Sequence, residues 1–384
     1  MIGLILIFTL VAVASGIMVA LLIRLAHSRS WYDRTSERRV HTGNVPRLGG
    51  LGFVPVFVVA TSVILISQND DFIRFLPTVV GICVITFFGV WDDFRPLRPS
   101  VKLLIQIGAA LCVVIPGYVF RRAVFFDESL LLQFPWIGPA VTVLWLVGMT
   151  NAVNLIDGVD ALAGGVSMLA ALTFGFIFFS YAEIAPAVMI AVALAGSVLG
   201  FLAFNAPFPK ARIFMGDGGS QSLGFILALL PLIEERYTIA TLPVLYVAAI
   251  LAIPIFDTAS AVWRRVRDRK PLSSPDRLHI HHKLMNLGLD ARKVCAVLLG
   301  LQTVVSAMVV ASLKFAEYRP APSLVLLGLT YVAVMAFFTV IHFMNKKRTA
   351  GLDAEADDAN LALPNDADRR AEQSGQPNPF PQSD

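Results

Sequence analysis

Apolar runs long enough to cross a bilayer recur along almost the whole chain. They fall at residues 2–23, 48–67, 75–91, 101–119, 137–153, 161–180, 185–206, 219–233, 238–262, 294–313 and 322–344. A spanning helix needs about 20 predominantly apolar residues, so the pattern predicts an all-α polytopic integral membrane protein with about eleven transmembrane helices. Composition agrees, at 56% hydrophobic and 15% charged residues, where soluble domains run at roughly 45–50% and about 25%. Several runs are short, with Gly and Pro near their ends, and such helices are tolerated where they line a protein cavity. Met1 to Ile23 has no basic residue before its apolar core, and that core is too long for a signal peptide. It reads as a retained first span.

The loops divide by charge. Segments 24–47, 92–102, 154–160, 207–218, 263–293 and the tail from 345 carry 25 of the 31 Lys and Arg residues, and the alternate segments carry 6. Basic residues accumulate on cytoplasmic loops, so the first set is expected inside, with the N-terminus outside and the C-terminus cytoplasmic. The same rule accounts for the net charge of +4 without nucleic acid as a partner. Cys83, Cys112 and Cys295 lie far apart in apolar runs and read as packing residues. Residues 1–345 are expected to form one membrane-embedded catalytic domain. Residues 346–384, rich in Ala, Asp, Pro and Gln, cannot bury enough surface to fold alone and read as a disordered cytoplasmic tail.

Four polar clusters interrupt the apolar chain, each at the expected inner end of a helix. Asp92 and Asp93, after Trp91, are adjacent carboxylates that repel unless a cation compensates. Magnesium takes one or two carboxylates plus substrate phosphates, although two aspartates can also simply mark a helix end. Asn154, Asp157 and Asp160 recur at spacing three and would share one face if helical, where such residues are poor helix formers. Gly216, Asp217, Gly218 and Gly219 precede an apolar helix, so Asp217 is an N-cap or a metal ligand beside phosphate-facing N–H groups. His279, His281 and His282 follow Asp276 and a basic stretch, a combination suited to phosphate oxygens. Asp257, near the inner end of a span, is a functional candidate or a structural hydrogen-bonding group. Lys102 could neutralise a phosphate or snorkel. Carboxylates, nearby cations and no serine or cysteine nucleophile motif suit metal-assisted phosphoryl transfer.

At these residues the chain resembles the polyprenyl-phosphate N-acetylhexosamine-1-phosphate transferases, over roughly residues 40–345. The resemblance is carried by Val45 to Gly50, Asp92 and Asp93, Asn151 to Gly165, Phe204 and Asn205, Phe214 to Gly219, Pro254 to Thr258, and the histidine run. It implies a UDP-activated amino sugar as donor, undecaprenyl phosphate as acceptor, and Mg²⁺, with Mn²⁺ as the alternative ion. UMP would be released and a cell-envelope glycan begun at the bacterial inner membrane, with a homodimer compatible with the family. Carried over, Asp217 and Asn154 would contact the metal or pyrophosphate, and Asp92 and Asp93 would bind metal or orient the lipid phosphate. Lys102 would lie near that phosphate, Asp157 and Asp160 would line the donor pocket with Asn205 beside it, and His279, His281 and His282 would hold pyrophosphate or sugar. Ile280 between the histidines resembles the N-acetylglucosamine branch rather than the one using UDP-N-acetylmuramyl-pentapeptide, and N-acetylgalactosamine or another hexosamine stays open. A secondary transporter would also carry about eleven helices and intramembrane acids, but would place them near the midplane, often with internal repeats.

Overall fold

The computed structural model of the protein describes residues 1–31, 45–68, 72–120, 135–182, 186–206, 210–237, 244–271, 274, 276, 278–316 and 318–361. Among the described residues there are thirteen helices and no strand. In chain order they are α1 (Ile2–Arg29), α2 (Gly49–Ser67), α3 (Phe72–Phe94), α4 (Pro99–Val114), α5 (Ile137–Ile156), α6 (Leu162–Ala182) and α7 (Pro186–Asn205). They continue with α8 (Gly216–Tyr237), α9 (Val244–Ile250), α10 (Ala252–Arg267), α11 (Ile280–Asn286), α12 (Ala291–Ala316) and α13 (Pro320–Leu361). Each apolar run of the sequence corresponds to a helix or, in one case, to a pair.

Eight of these helices are long and apolar enough to cross a membrane, or nine counting the bent pair α9–α10, so the chain is a multi-pass membrane protein. Two of the eleven expected spans fall outside that count for local reasons. Helix α4 has only 16 residues, and α8 begins with the polar stretch Asp217 to Ser222. The run expected as one span over 238–262 is broken, with α9 and α10 meeting at 87°. Pro254 explains the break: it has no N–H for the carbonyl four residues back and its ring crowds that carbonyl. The carbonyl left over, on Ile250, accepts a hydrogen bond from the side chain of fully buried Gln302 at 3.0 Å.

The centre of the bundle is α6 to α8. In α7, 78% of the apolar window is buried inside the protein, against 17% in α1 and 22% in α13. Apolar surface on the outer helices is as comfortable in lipid as against protein, so association relies on small residues that let backbones approach. Helix α1 lies on α7 in this way: any side chain at Gly196 or Gly200 would collide with the backbone at Phe8 or Ala12. Ser15 Oγ also donates to the Ser197 carbonyl at 2.6 Å. Of the cysteines expected to be buried, Cys295 is, Cys112 is half-buried and Cys83 is exposed, because an apolar residue on an outer helix faces lipid. Helix α13 runs on to Leu361, so residues 346–361 of the expected disordered tail are helical. Residues 362–384 lie outside the described residues.

Candidate active site

Three chain segments far apart in sequence are clasped at one end of the bundle. Gly49 and Gly50, at the start of α2, donate backbone hydrogen bonds to the carbonyls of Phe214 and Met215 at 2.9 and 3.0 Å. Phe214 N–H returns one to the Pro46 carbonyl at 2.9 Å. Helix α3 closes the third side. A Cβ at Gly89 would lie 2.6 Å from Gly218 Cα and 2.8 Å from the Asp217 carbonyl, so only glycine admits this approach. Thr86 and Ser222 then join α3 to α8 through their hydroxyls at 2.8 Å.

That clasp sets the acids. Asp93 turns to the start of α8, accepting the N–H of Asp217 at 3.0 Å and of Gly218 at 3.2 Å. A carboxylate there satisfies orphan donors and opposes the positive end of the helix dipole. Gly216 makes room for it, with a left-handed φ of +73° and Asp93 Oδ2 where a side chain would begin. Asp92, one residue earlier, points elsewhere. Its Oδ1 accepts the Leu97 N–H at 2.6 Å and its Oδ2 the Lys102 ammonium at 2.5 Å. Lys102 also reaches Asp217 Oδ2 at 3.2 Å, so one cation bridges carboxylates from α3 and α8. Asp217 receives further hydrogen bonds from Asn154 at 3.3 Å and Gln221 at 3.3 Å. Asn154 donates to Ser220 at 2.8 Å as well.

A second polar tier lies beside the first. Gln106 and Asn151 exchange hydrogen bonds at 2.8 and 3.3 Å, and Gln106 also donates to Gln221 at 3.2 Å. Gln106, Ser220 and Gln221 lie outside the polar clusters that stand out in the sequence. The available signal was a glutamine inside an apolar run, since polar groups at membrane depth are rare and usually have partners.

The remaining expected residues divide. Asn154, Asp157 and Asp160 do not share a helical face, because α5 stops at Ile156 and Asp157 is its C-cap with ψ 50°. The segment turns there, and Ala161 is held at φ 63° by the Asn205 side-chain oxygen, which accepts its N–H at 2.8 Å. Asn205, expected beside the donor pocket, is itself buried and donates to the Ile213 carbonyl at 2.8 Å. Its geometry is that of a brace between two loops. Asp157 remains near the cluster: burial, then the negative charges of Asp217 and Asp93, push its carboxyl up to about 8. Asp160 adds to that field from the same turn.

The histidines form the other wall. Asp257, buried in α10, accepts the Ile280 N–H at 2.8 Å and pairs with His279 Nδ1 at 2.8 Å. It thereby fixes both the start of α11 and the ring of His279. His281 stacks parallel to His279, with centroids 6.0 Å apart, and His282 lies 4.2 Å from His281. A Cβ at Gly158 would overlap the His281 ring, so the histidine run abuts the turn that carries Asp157. Burial, and then the charge of His282, push His281 down to about 3, and it is neutral at neutral pH. Arg264 forks onto Asp276 Oδ2 at 2.6 and 3.2 Å, tying the connection from α10 to the histidines.

Among the described residues no group of three or more His, Cys, Asp or Glu forms a metal cage. The donor set nevertheless fits a hard, oxygen-seeking divalent ion. Asp217 and Asp92 are two carboxylates already sharing one cation, the Lys102 ammonium, with the Asn154 amide alongside. Magnesium is ordinarily held by one or two carboxylates and completed by substrate phosphates and water.

Membrane-crossing helices whose acids, amides and histidines converge at one end define a polytopic membrane enzyme with a polar site at that end of the bundle. Residues 75–234 match the family described as Glycosyl transferase family 4. A Bacillus subtilis protein named "Probable undecaprenyl-phosphate N-acetylglucosaminyl 1-phosphate transferase" is 37% identical over 293 residues, covering 75% of this chain and 80% of that protein. A Mycobacterium leprae protein named decaprenyl-phosphate N-acetylglucosaminephosphotransferase is 31% identical over 345 residues, covering 81% and 83%. An Escherichia coli O157:H7 protein named undecaprenyl-phosphate alpha-N-acetylglucosaminyl 1-phosphate transferase is 26% identical over 313 residues, covering 79% and 82%. The chain belongs to the polyprenyl-phosphate N-acetylhexosamine-1-phosphate transferase family and is a phospho-sugar transferase.

Proposed function

We propose that this protein transfers N-acetylglucosamine 1-phosphate from UDP-N-acetylglucosamine to undecaprenyl phosphate, releasing UMP at the cytoplasmic face of the bacterial inner membrane. The observation that carries the reading is the Lys102 ammonium held between Asp92 and Asp217 at one end of the membrane-crossing bundle. A lipid phosphate must present its head at that depth while its chain stays in the membrane. The names of the relatives favour a polyprenyl phosphate acceptor and this hexosamine, and the charge asymmetry of the loops favours the cytoplasmic side.

An oxygen of the lipid phosphate attacks the sugar-linked phosphorus of the donor. The bond from that phosphorus to the bridging oxygen breaks, and UMP leaves with the electron pair. Lys102 draws the lipid phosphate toward the centre and offsets its charge. Asp217, with Asn154 and Asp92, would hold Mg²⁺, which when bound neutralises charge building on the phosphate oxygens. Asp157 and Asp160, on the turn beside Asp217, line the pocket for the donor. His279 and neutral His281 form the wall against which the sugar phosphate is held. Direct attack is favoured over a covalent enzyme intermediate because Asp92, Asp93 and Asp217 are each engaged by hydrogen bonds.

Purified protein given UDP-N-acetylglucosamine, undecaprenyl phosphate and Mg²⁺ should release UMP, and a chelator should stop it. Asp217→Ala and Asp92→Asn should each abolish turnover while the protein still inserts. Release of UMP only from another UDP-hexosamine would replace the donor. Full activity in both variants would remove the site assignment.

A further inference from the structure

Behind the histidine wall, helix α11 packs against the end of α13, and charge is out of balance in that seam. Lys283 is 3% exposed, its backbone is bonded within α11, and its ammonium has no hydrogen-bond or ion-pair partner among the described residues. The acids that reach it electrostatically are Asp257 and Asp276. Both are engaged, the first by His279 and the Ile280 N–H, the second by Arg264 and the Leu278 N–H. A buried ammonium without a partner is costly, and natural proteins seldom keep one without a ligand to meet it. Burial, and then the charge of Arg264, push its pKa down, as expected of a cation short of an anion.

The neighbours add more positive charge. Lys283, Arg264, Arg267 and Lys346 all act on His342 of α13, and Arg348 of α13 lies over Gly288, just beyond α11. Asn345 is buried on the same helix, and a side-chain amide carries two N–H donors that can meet an anion. Lys346, Lys347 and Arg348 follow directly on the apolar part of α13. A basic cluster at that level meets the phosphates of the lipid headgroups.

We propose that the seam between α10, α11 and the end of α13 binds the phosphate headgroup of an anionic membrane phospholipid, with Lys283 as its buried cation. Arg267 and Lys346 form the exposed rim, and His342 and Asn345 line the α13 side. The ligand chemistry is a phosphate oxyanion, and the position at the membrane surface assigns it to a lipid rather than to free phosphate. Occupancy would brace α11 and therefore the histidines it carries, linking the wall of the active site to the surrounding bilayer. The inference does not depend on which sugar is transferred.

The test is thermal unfolding of full-length protein in nanodiscs of phosphatidylcholine with increasing phosphatidylglycerol, alongside arms containing inorganic phosphate or UDP-N-acetylglucosamine. Wild-type protein should melt higher as phosphatidylglycerol is added, and inorganic phosphate should not reproduce the rise. Lys283→Met should be more stable than wild type in phosphatidylcholine alone, since it removes an unpaired buried charge, and should lose the response to phosphatidylglycerol. Lys346→Gln, an exposed change that leaves the fold intact, should weaken that response and keeps the test decisive if the first variant does not fold. Native mass spectrometry should show a retained phosphatidylglycerol on wild type that Lys283→Met sheds. An unchanged lipid response in both variants, or equal stabilisation by inorganic phosphate, would overturn the proposal. So would a nucleotide-sugar stabilisation lost in Lys283→Met while the lipid response stays, because that would put Lys283 in the donor site.

Discussion

The Asp93 carboxylate caps α8 from the neighbouring helix α3, accepting the Asp217 N–H at 3.0 Å. Adjacent Asp92 instead meets Lys102 at 2.5 Å. Two acids next to each other in sequence therefore have separable functions. Asp93→Ala removes a cap and should lower stability by about 0.5–2 kcal/mol, with a shift in melting temperature and reduced binding at Asp217. Asp92→Asn should leave the melting temperature near that of wild type and abolish UMP release. Indistinguishable melting curves for the two variants would refute the division.

The contact between Gly158 and His281 makes a second test. Gly158→Ala places a methyl group inside the space of the His281 ring, and overpacking of this kind costs about 1–3 kcal/mol. The ring must move, carrying the stack with His279 and His282, so turnover should fall more than stability does. Gly300→Ala is the matched control, since nothing lies within 4 Å of the added carbon, and in a helix interior it should stabilise by about 0.5–1 kcal/mol. Equal activity in the two variants would detach His281 from the site.

Acid should expose the same histidine. His281 is pushed down to about 3 from an ordinary value of 6.5, by burial and then by His282. Between those values the unfolded chain binds a proton that the folded chain refuses, so this residue lowers stability as pH falls from 6.5 toward 3. His281→Asn has no such group and should melt with a flatter acid dependence over that window. Parallel curves for wild type and variant would mean that His281 is charged in the folded protein.

Much of this architecture is legible from local patterns, and the exceptions have identifiable causes. Apolar runs and loop charge suffice to place the helices and to gather Asp92, Asn154, Asp217 and the histidines at one end, because both depend only on nearby residues. The division of labour between Asp92 and Asp93 is not legible, since it is decided by Gly216 and Gly89, which admit α8 from another part of the chain. Asn205 shows the same limit: its position in a motif suggests a place beside the donor pocket, and only the fold shows that it also braces the loops at Ala161 and Ile213. Lys283 reads as one more basic residue of a charged loop, and only packing against α13 makes it a buried cation. Pro254 lies inside the run expected as one span over 238–262, and a proline alone does not say whether a helix bends slightly or turns by 87°.

That break supplies the last prediction. Pro254 cannot donate to the Ile250 carbonyl, and Gln302 does so from α12 at 3.0 Å. If the glutamine compensates for the proline, the two substitutions are coupled. Gln302→Leu alone leaves a buried carbonyl without a donor and should destabilise by about 1–3 kcal/mol. Pro254→Ala restores an N–H four residues after that carbonyl, so the glutamine becomes partly redundant. In that background Gln302→Leu should cost less, with a coupling of about 0.5–1.5 kcal/mol in a double-mutant cycle read by thermal or chemical unfolding in detergent. Asp257 and His279 lie beyond the bend, so Pro254→Ala should also reduce turnover by allowing α9 and α10 to straighten. Additive effects on stability, together with full turnover in Pro254→Ala, would show that the bend is set by packing around it and not by the proline.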